Sequence, residues 1–227
     1  MMSPIRTLVA LFAGTLALVC MPARSQEFRT PQSGKGPAVI LISGVSGTAL
    51  YQDYARAVAA LGYTAILVSG RDISNQENAS SDNLKRVIST SQADPRVVPG
   101  KVAVIGFSLG GGGALLHAAH MQEHVAAVVA YYPAVTRLPS IEGAAKRVAV
   151  PTLILAGEKD RYNNCCLIES IREFAATAQA ANRQVEVVTY PNADHGFNLN
   201  VRAFRADDSA DAWVKVQAVL SKHLPLN

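Results

Sequence analysis

Residues 101–113 read KVAVIGFSLGGGG. An apolar run in this stretch ends at a single serine, which has glycines nearby on both sides. The stretch from Gly106 to Gly110 fits the pattern G-x-S-x-G, with a strand candidate before the serine and a helix pattern after it. A tight strand-to-helix turn needs small neighbours and places the hydroxyl above the free N–H groups of the helix. The pattern predicts that Ser108 is an exposed nucleophile. A glycine-rich helix start that only packs close to a strand is the alternative.

A serine hydroxyl needs a base to take its proton and an acid to orient that base. Two later segments supply candidates just past apolar strand patterns: LILAGEKDRY contains Asp160, and VVTYPNADHGF contains His195. Because the carboxyl ends of parallel strands meet at one edge of a sheet, both side chains are expected near Ser108. Glu158 and Asp194 compete with Asp160 for the role of the acid. A solvated loop acid and a turn histidine without chemistry are the competing interpretations.

A tetrahedral intermediate also needs two backbone N–H donors for its negative oxygen. The N–H of Leu109, directly after the serine, is the first candidate. The second is expected from the loop SGVSG at 43–47, where we favour the N–H of Val45, with Gly44 or Ser46 as near alternatives. An ordinary strand-to-helix turn at this loop is the competing interpretation.

Strand and helix patterns alternate along the chain and predict the scaffold that positions these residues. Continuous apolar strands indicate a sheet covered on both faces, and the alternation favours a mostly parallel, doubly wound α/β sheet. Residues 70–83 are polar without apolar periodicity and are expected to form a long loop. Strand candidates are 38–43, 63–69, 101–107, 125–132, 151–157 and 185–190, and helix candidates are 48–61, 82–92, 109–121, 165–181 and 208–223.

The N-terminal 25 residues differ in composition from the rest of the chain. Arg6 precedes an apolar run over 8–21, and small residues occupy the two recognition positions before a cleavage point after Ser25. This pattern predicts a signal peptide at 1–25 and a secreted protein, with the periplasm as the expected compartment. A retained N-terminal anchor is the alternative. Residues 26–36 are expected to be a flexible leader, and 37–227 a single domain.

Composition excludes several classes of function. The chain has 227 residues, of which 49% are hydrophobic and 17% charged, as in one ordinary globular domain. Loss of Arg6 and Arg24 with the signal peptide, and of no acid, lowers the net charge from +4 to +2. Such a small, scattered charge argues against a nucleic-acid partner.

No metal-ligand spacing or phosphate-binding glycine loop occurs, so no metal or cofactor is expected. Stable membrane association is not expected once the signal is removed, and the oligomeric state stays open.

Two adjacent cysteines, Cys165 and Cys166, follow the candidate acid closely. In an oxidising compartment they could form a vicinal disulfide, remain thiols or cross-link two chains. Their distance from Asp160 in the sequence suggests that their loop borders the pocket and that the cysteines shape it rather than catalyse. Simple packing at the start of a helix is the alternative.

Taken together, GFSLGG, GEKD and YPNADHGF, in that order, resemble the dienelactone hydrolase family of α/β-hydrolases. The resemblance implies a single-domain α/β-hydrolase fold without a large cap domain. It places the family's triad on Ser108, Asp160 and His195. It also implies a serine hydrolase that cleaves a small-molecule carboxylic ester, thioester or lactone through an acyl-enzyme intermediate.

The sequence departs from that family at several positions. Dienelactone hydrolases proper use a cysteine nucleophile where this chain has Ser108, and they carry a glutamate in the loop that reads SGVSG here. Many relatives have a histidine at the position of Ser43. Arg71 is the nearest candidate for an arginine that recognises a substrate carboxylate. A non-catalytic binding protein on a hydrolase fold, or a small peptidase of the dipeptidyl-peptidase branch, are the alternative functions.

Overall fold

The computed structural model describes residues 26–74 and 77–226. The predicted signal peptide at 1–25 lies outside the described residues. Within the described ranges, every helix is too short or too polar to cross a bilayer.

A seven-stranded sheet forms the centre of the molecule. Its strands are β1 (Glu27–Arg29), β2 (Gly36–Ile42), β3 (Thr64–Val68), β4 (Val97–Phe107), β5 (Val125–Tyr131), β6 (Thr152–Gly157) and β7 (Val185–Tyr190). The strand order is β1-β3-β2-β4-β5-β6-β7, in which β1 pairs antiparallel with β3 and all the other neighbours pair parallel. All residues of β3 and of β6 are buried, because helices cover both faces of the sheet.

Helices on the two faces of the sheet create two separate hydrophobic cores. Among the described residues these helices are α1 (Gln52–Ala60), α2 (Glu77–Gln92), α3 (Leu109–Gly113), α4 (Ile141–Arg147), α5 (Ile168–Ala180) and α6 (Ala206–His223), and α3 continues into a π-helical turn at Ala114–Ala118. Helices α1 and α6 bury residues such as Val58 and Val216 on one face. Helices α2, α4 and α5 bury Leu84, Ala144 and Phe174 on the other. The predicted single-domain, doubly wound α/β architecture is confirmed.

The expected long loop at 70–83 is wrong in its second half, because α2 already begins at Glu77. The buried positions of this helix include Ser80, Leu84, Ile88 and Ser91. These positions have helical spacing, but two of the four are serines, so hydrophobicity alone does not reveal the buried face.

The expected flexible leader at 26–36 also differs from the structure. Within it, Glu27–Arg29 forms β1 and extends the sheet beyond β3. The Glu27 carboxylate accepts hydrogen bonds from Thr48 Oγ1 at 2.6 Å and Gln52 Nε2 at 2.7 Å, which ties this strand to the start of α1. A strand of three residues is too short to show an alternating pattern, and its partners are distant in sequence.

Glycines at the junction of β4 and α3 allow two backbones to approach closely. A β-carbon on Gly106 would lie 2.3 Å from the carbonyl oxygen of Gly110, and one on Gly110 would lie 2.3 Å from that of Ile42. Both distances are shorter than any real carbon–oxygen contact, so side chains are excluded here. The glycines therefore set how close α3 lies to β2 and β4.

We expect Gly110→Ala to lower the free energy of unfolding by at least about 2 kcal/mol, because the new methyl group meets rigid backbone. Gly143→Ala in α4 is the matched control, since its new methyl group would meet only the Ser140 side chain, at 3.1 Å. Urea denaturation of both variants measures the difference. Equal midpoints for Gly110→Ala and the parent protein would contradict the close-packing argument.

Candidate active site

Ser108 lies between the end of β4 and the first residue of α3, in a left-handed backbone conformation with φ 54° and ψ −115°. Three backbone hydrogen bonds fix this conformation. The Ser108 N–H donates to Tyr131 O at 3.0 Å, and its carbonyl oxygen accepts from Gly112 N and Ala134 N, each at 3.0 Å. A non-glycine residue in such a region is strained, and strain of this kind is concentrated at functional sites. The turn holds the side chain in one direction, towards His195.

His195 follows β7 and contacts both other members of the predicted triad. Its Nε2 lies 2.9 Å from Ser108 Oγ, and its Nδ1 lies 2.7 Å from Asp160 Oδ2. A carboxylate only accepts hydrogen bonds, so Nδ1 carries the proton and donates it to Asp160. Nε2 is then left with a lone pair that can accept the hydroxyl proton of Ser108. The arrangement can generate a nucleophilic serine oxygen.

Asp160 is the acid that the structure places against the histidine. Its side chain is buried, and its second oxygen, Oδ1, accepts the N–H of Tyr162 at 3.0 Å. The two competing acids lie elsewhere. Glu158 pairs with Arg172 at 2.9 Å, and the exposed Asp194 accepts the backbone N–H of His195 at 2.7 Å instead of contacting the ring.

Two tyrosines that the sequence motifs did not indicate enclose the His195 imidazole. The Tyr162 ring stacks on it with centroids 4.5 Å apart and planes inclined by 13°, and this ring remains 45% exposed. The buried Tyr132 lies on another side at 4.7 Å, and its hydroxyl donates to Asn198 Oδ1 at 2.9 Å. The two rings therefore restrict the orientation of the imidazole. The position of Tyr162 two residues after Asp160 is the one sequence signal for it.

The candidate oxyanion donors lie on both sides of Ser108. Leu109 is the first residue of α3, where an N–H has no acceptor within the helix. Across from it, Gly44 is so close that a β-carbon there would lie 3.4 Å from Ser108 Cβ. Val45 is 42% exposed, and its N–H as a donor stays a prediction. Ser46 also lies in this loop and is exposed.

Arg71 lies at the rim of the same loop. Its side chain is exposed, and its Nε donates to the carbonyl oxygen of Val45 at 3.1 Å. This contact ties the turn after β3 to the loop after β2. A role in recognising a substrate carboxylate stays a prediction.

Cys165 and Cys166 form a vicinal disulfide at the edge of the site. Both are buried against Ala134, and their Sγ atoms lie within 4.8 Å of a ring nitrogen of His195. Thr136 fixes their loop, because its N–H and hydroxyl both donate to the carbonyl oxygen of Cys165, at 3.1 and 2.9 Å. The loop therefore borders the site, as the position of the cysteines in the sequence suggested.

The sheet order, the strand–serine–helix turn and the placement of His195 after the last strand are those of an α/β-hydrolase. A family model described as the dienelactone hydrolase family matches residues 67–224. The chain belongs to this family of hydrolases, as the motifs GFSLGG, GEKD and YPNADHGF predicted.

One curated relative is similar in sequence, and two solved structures share the fold. A Yersinia pestis protein with the provisional name carboxymethylenebutenolidase is 29% identical over 220 residues, which cover 84% of this chain and 80% of the relative. The crystal structure of a provisionally assigned dienelactone hydrolase from Klebsiella pneumoniae superposes with a TM-score of 0.75 at 22% identity, over 87% of this chain and 92% of that one. Pyrococcus horikoshii acylaminoacyl peptidase gives a TM-score of 0.72 at 14% identity, over 88% of this chain but only 39% of that one.

Substitution of Asp160 by asparagine should slow labelling of Ser108 by a fluorophosphonate probe by about 10³–10⁴-fold. The reason is that an amide no longer holds the proton on Nδ1, so Nε2 loses its free lone pair. Asp194→Asn is the matched control and should leave the rate little changed, because Asp194 contacts the backbone and not the ring. Equal losses in both variants would contradict the assignment of Asp160.

Replacing both cysteines by serine should leave the protein folded and active, with a far smaller loss of turnover than Asp160→Asn causes. A cross-link between adjacent residues closes a minimal loop, so it removes little chain entropy from the unfolded state. Thermal unfolding and ester turnover of the double variant measure both effects. Abolished turnover in a folded double variant would show that the sulfur atoms take part in the chemistry.

Proposed function

We propose that this protein is a serine hydrolase that cleaves a carboxylic ester, thioester or lactone through an acyl-enzyme intermediate. The observation that supports this best is the continuous hydrogen-bonded path from Ser108 Oγ through His195 to Asp160, with distances of 2.9 and 2.7 Å. Membership of a hydrolase family and the strained turn at Ser108 support the same conclusion.

The reaction follows from the geometry of these groups. Ser108 Oγ attacks the carbonyl carbon while His195 Nε2 takes the hydroxyl proton, and the carbonyl oxygen becomes negative. Asp160 keeps Nδ1 protonated and stabilises the imidazolium, which Tyr132 and Tyr162 enclose. Collapse of the intermediate breaks the bond to the leaving oxygen or sulfur, which receives the proton from Nε2.

Hydrolysis of the acyl-enzyme repeats these steps with water. His195 removes a proton from a water molecule that attacks the acyl carbon, and Ser108 Oγ leaves and recovers the proton. The acid is released and the resting state is restored. For a lactone, the leaving oxygen stays attached to the acyl group, so ring opening gives a single hydroxy-acid product.

The names of the relatives point to lactones as one substrate class. The Yersinia pestis relative is provisionally named as an enzyme that acts on a butenolide, an unsaturated lactone. Lactone and open-chain ester hydrolysis pass through the same tetrahedral intermediate, so the site described here suits both. Secretion to the periplasm remains part of the proposal, and it depends on the signal peptide predicted at 1–25.

Two other functions remain as alternatives to ester hydrolysis. Peptide cleavage is suggested by the acylaminoacyl peptidase, but this chain corresponds to only 39% of its length. The second alternative is a binding protein without catalytic activity, which would have the same fold but a Ser108 that His195 does not activate. Reaction with a fluorophosphonate separates this case from both enzymes, because only an activated serine is phosphonylated rapidly.

The rate of hydrolysis of p-nitrophenyl esters of graded acyl length should be lower by at least about 10³-fold in Ser108→Ala, because the variant lacks the attacking oxygen. Ser221→Ala, an exposed serine near the end of α6, is the control and should retain full turnover. Release of p-nitrophenolate measures the rates, and circular dichroism verifies that both variants fold. A folded parent protein that neither turns over any ester nor reacts with the fluorophosphonate would favour the binding protein.

A further inference from the structure

Tyr51 lies next to the serine turn, although it follows a different strand. It ends the short 3₁₀ turn Ala49–Tyr51 that leads into α1, and its side chain is buried. Its ring packs against Phe107, the residue immediately before Ser108, with centroids 4.7 Å apart. This packing directs the hydroxyl towards the loop after β2.

The Tyr51 hydroxyl occupies space that exists only because residue 44 is glycine. A β-carbon on Gly44 would lie 2.6 Å from Tyr51 Oη and 3.4 Å from Ser108 Cβ. The hydroxyl and the serine side chain therefore both face the same side of Gly44. The proposed mechanism puts the negative oxygen in this region, between Ser108 and the loop after β2.

The buried position of this hydroxyl keeps it protonated. Burial raises the pKa of Tyr51, while the neighbouring Gly44 backbone and Ser46 side chain lower it by a smaller amount. The phenol therefore carries a proton that it can donate to an acceptor on this side of Gly44.

We propose that Tyr51 is a further catalytic residue, whose O–H donates a hydrogen bond to the oxyanion beside the N–H of Leu109. This inference rests on the proposed hydrolase function and adds a side-chain donor to a site for which only backbone donors were expected. Gly44, which has no side chain, leaves the space that the phenol hydroxyl occupies.

A phenol suits this role for two physical reasons. It is a stronger acid than a backbone amide or a serine hydroxyl, so it gives a stronger hydrogen bond to a developing alkoxide. It is also held by a buried ring, so little reorganisation is needed when the charge appears. The loss of one such donor from an oxyanion site typically lowers kcat by about 10²–10³-fold.

The test is Tyr51→Phe, which removes the hydroxyl and keeps the ring on Phe107. On the best p-nitrophenyl ester, kcat should fall about 10²-fold while KM changes little, because the interaction forms only in the transition state. Tyr54→Phe is the matched control. Its ring also packs on Phe107, at 4.9 Å, but its hydroxyl contacts Tyr131 Oη at 3.4 Å, and turnover should be unchanged.

Phenylboronic acid supplies a second measurement that does not depend on turnover. Ser108 Oγ forms a new bond to boron while its O–H bond breaks and His195 Nε2 takes the proton. The product is a tetrahedral boronate anion, and one of its two hydroxyl groups occupies the oxyanion position. Tyr51→Phe should raise the inhibition constant of phenylboronic acid by roughly the same factor by which it lowers kcat/KM. If the hydroxyl has only a structural role, Tyr51→Phe should change the thermal stability of the protein and leave the inhibition constant unchanged.

Gly44→Ala tests the same contact from the other side. The added methyl group displaces the Tyr51 hydroxyl, so kcat should fall in the parent protein. In the Tyr51→Phe background the hydroxyl is already absent, and the same substitution should cost much less. Additive losses in the double variant would contradict a shared role of the two residues.

The outcomes separate this inference from the proposed function. If Ser108→Ala abolishes turnover but Tyr51→Phe retains parental kcat and boronate affinity, the oxyanion role is wrong and the hydrolase stands. If the parent protein neither reacts with the fluorophosphonate nor turns over any ester, the proposed function is wrong and the inference falls with it. Parallel losses in kcat and boronate affinity in folded Tyr51→Phe, with Tyr54→Phe unaffected, support both.

Discussion

The left-handed backbone at Ser108 is the constraint on which the other features of the site depend. Such a conformation costs a non-glycine residue about 1–3 kcal/mol, so the surrounding structure must impose it. Hydrogen bonds to Tyr131, Gly112 and Ala134 do so, and they join the turn to both β5 and α3. The same junction requires glycine at 106 and 110, because neighbouring backbones approach within the radius of a side chain. The parallel sheet thus fixes the turn, and the turn fixes the direction of the hydroxyl.

Around this fixed serine, charge can develop in an environment that is already organised. The carboxylate of Asp160 is buried with both oxygens hydrogen-bonded, so it can hold His195 without needing water. Aromatic rings from two different loops enclose the imidazole. On the opposite side, the start of α3 and the loop after β2 surround the region where a carbonyl oxygen would become negative. Preorganised groups of this kind need little rearrangement during the reaction, which is the main source of electrostatic catalysis.

The sequence was sufficient to predict six of the seven strands of the sheet, β2 to β7, and the three contacting residues, because both depend on local patterns. Apolar runs mark buried strands, and Ser108, Asp160 and His195 each follow one of them. The start of α2 was missed because Ser80 and Ser91 share its buried face with apolar residues. Tyr132 and Tyr162 were missed for a different reason. The direction of an aromatic ring depends on packing between elements far apart in the chain, and no short motif records it. Tyr51 is hidden in the same way, 57 positions before the serine that it approaches.

The histidine follows a strand at the edge of the sheet. Among the described residues, strand β7 pairs on one side only, with β6, and its middle residues are at least partly exposed. Contacts between His195 and the two other residues also span 87 and 35 positions of chain, so no local segment can form them alone. Edge elements open at lower free energy than the centre of a domain. Local opening of β7 would therefore separate the base from the serine while β2, β4 and β5 remain folded. Hydrogen exchange at β7 consequently reports the fraction of molecules in which the site is disrupted at any moment, a fraction that the free energy of global unfolding would underestimate.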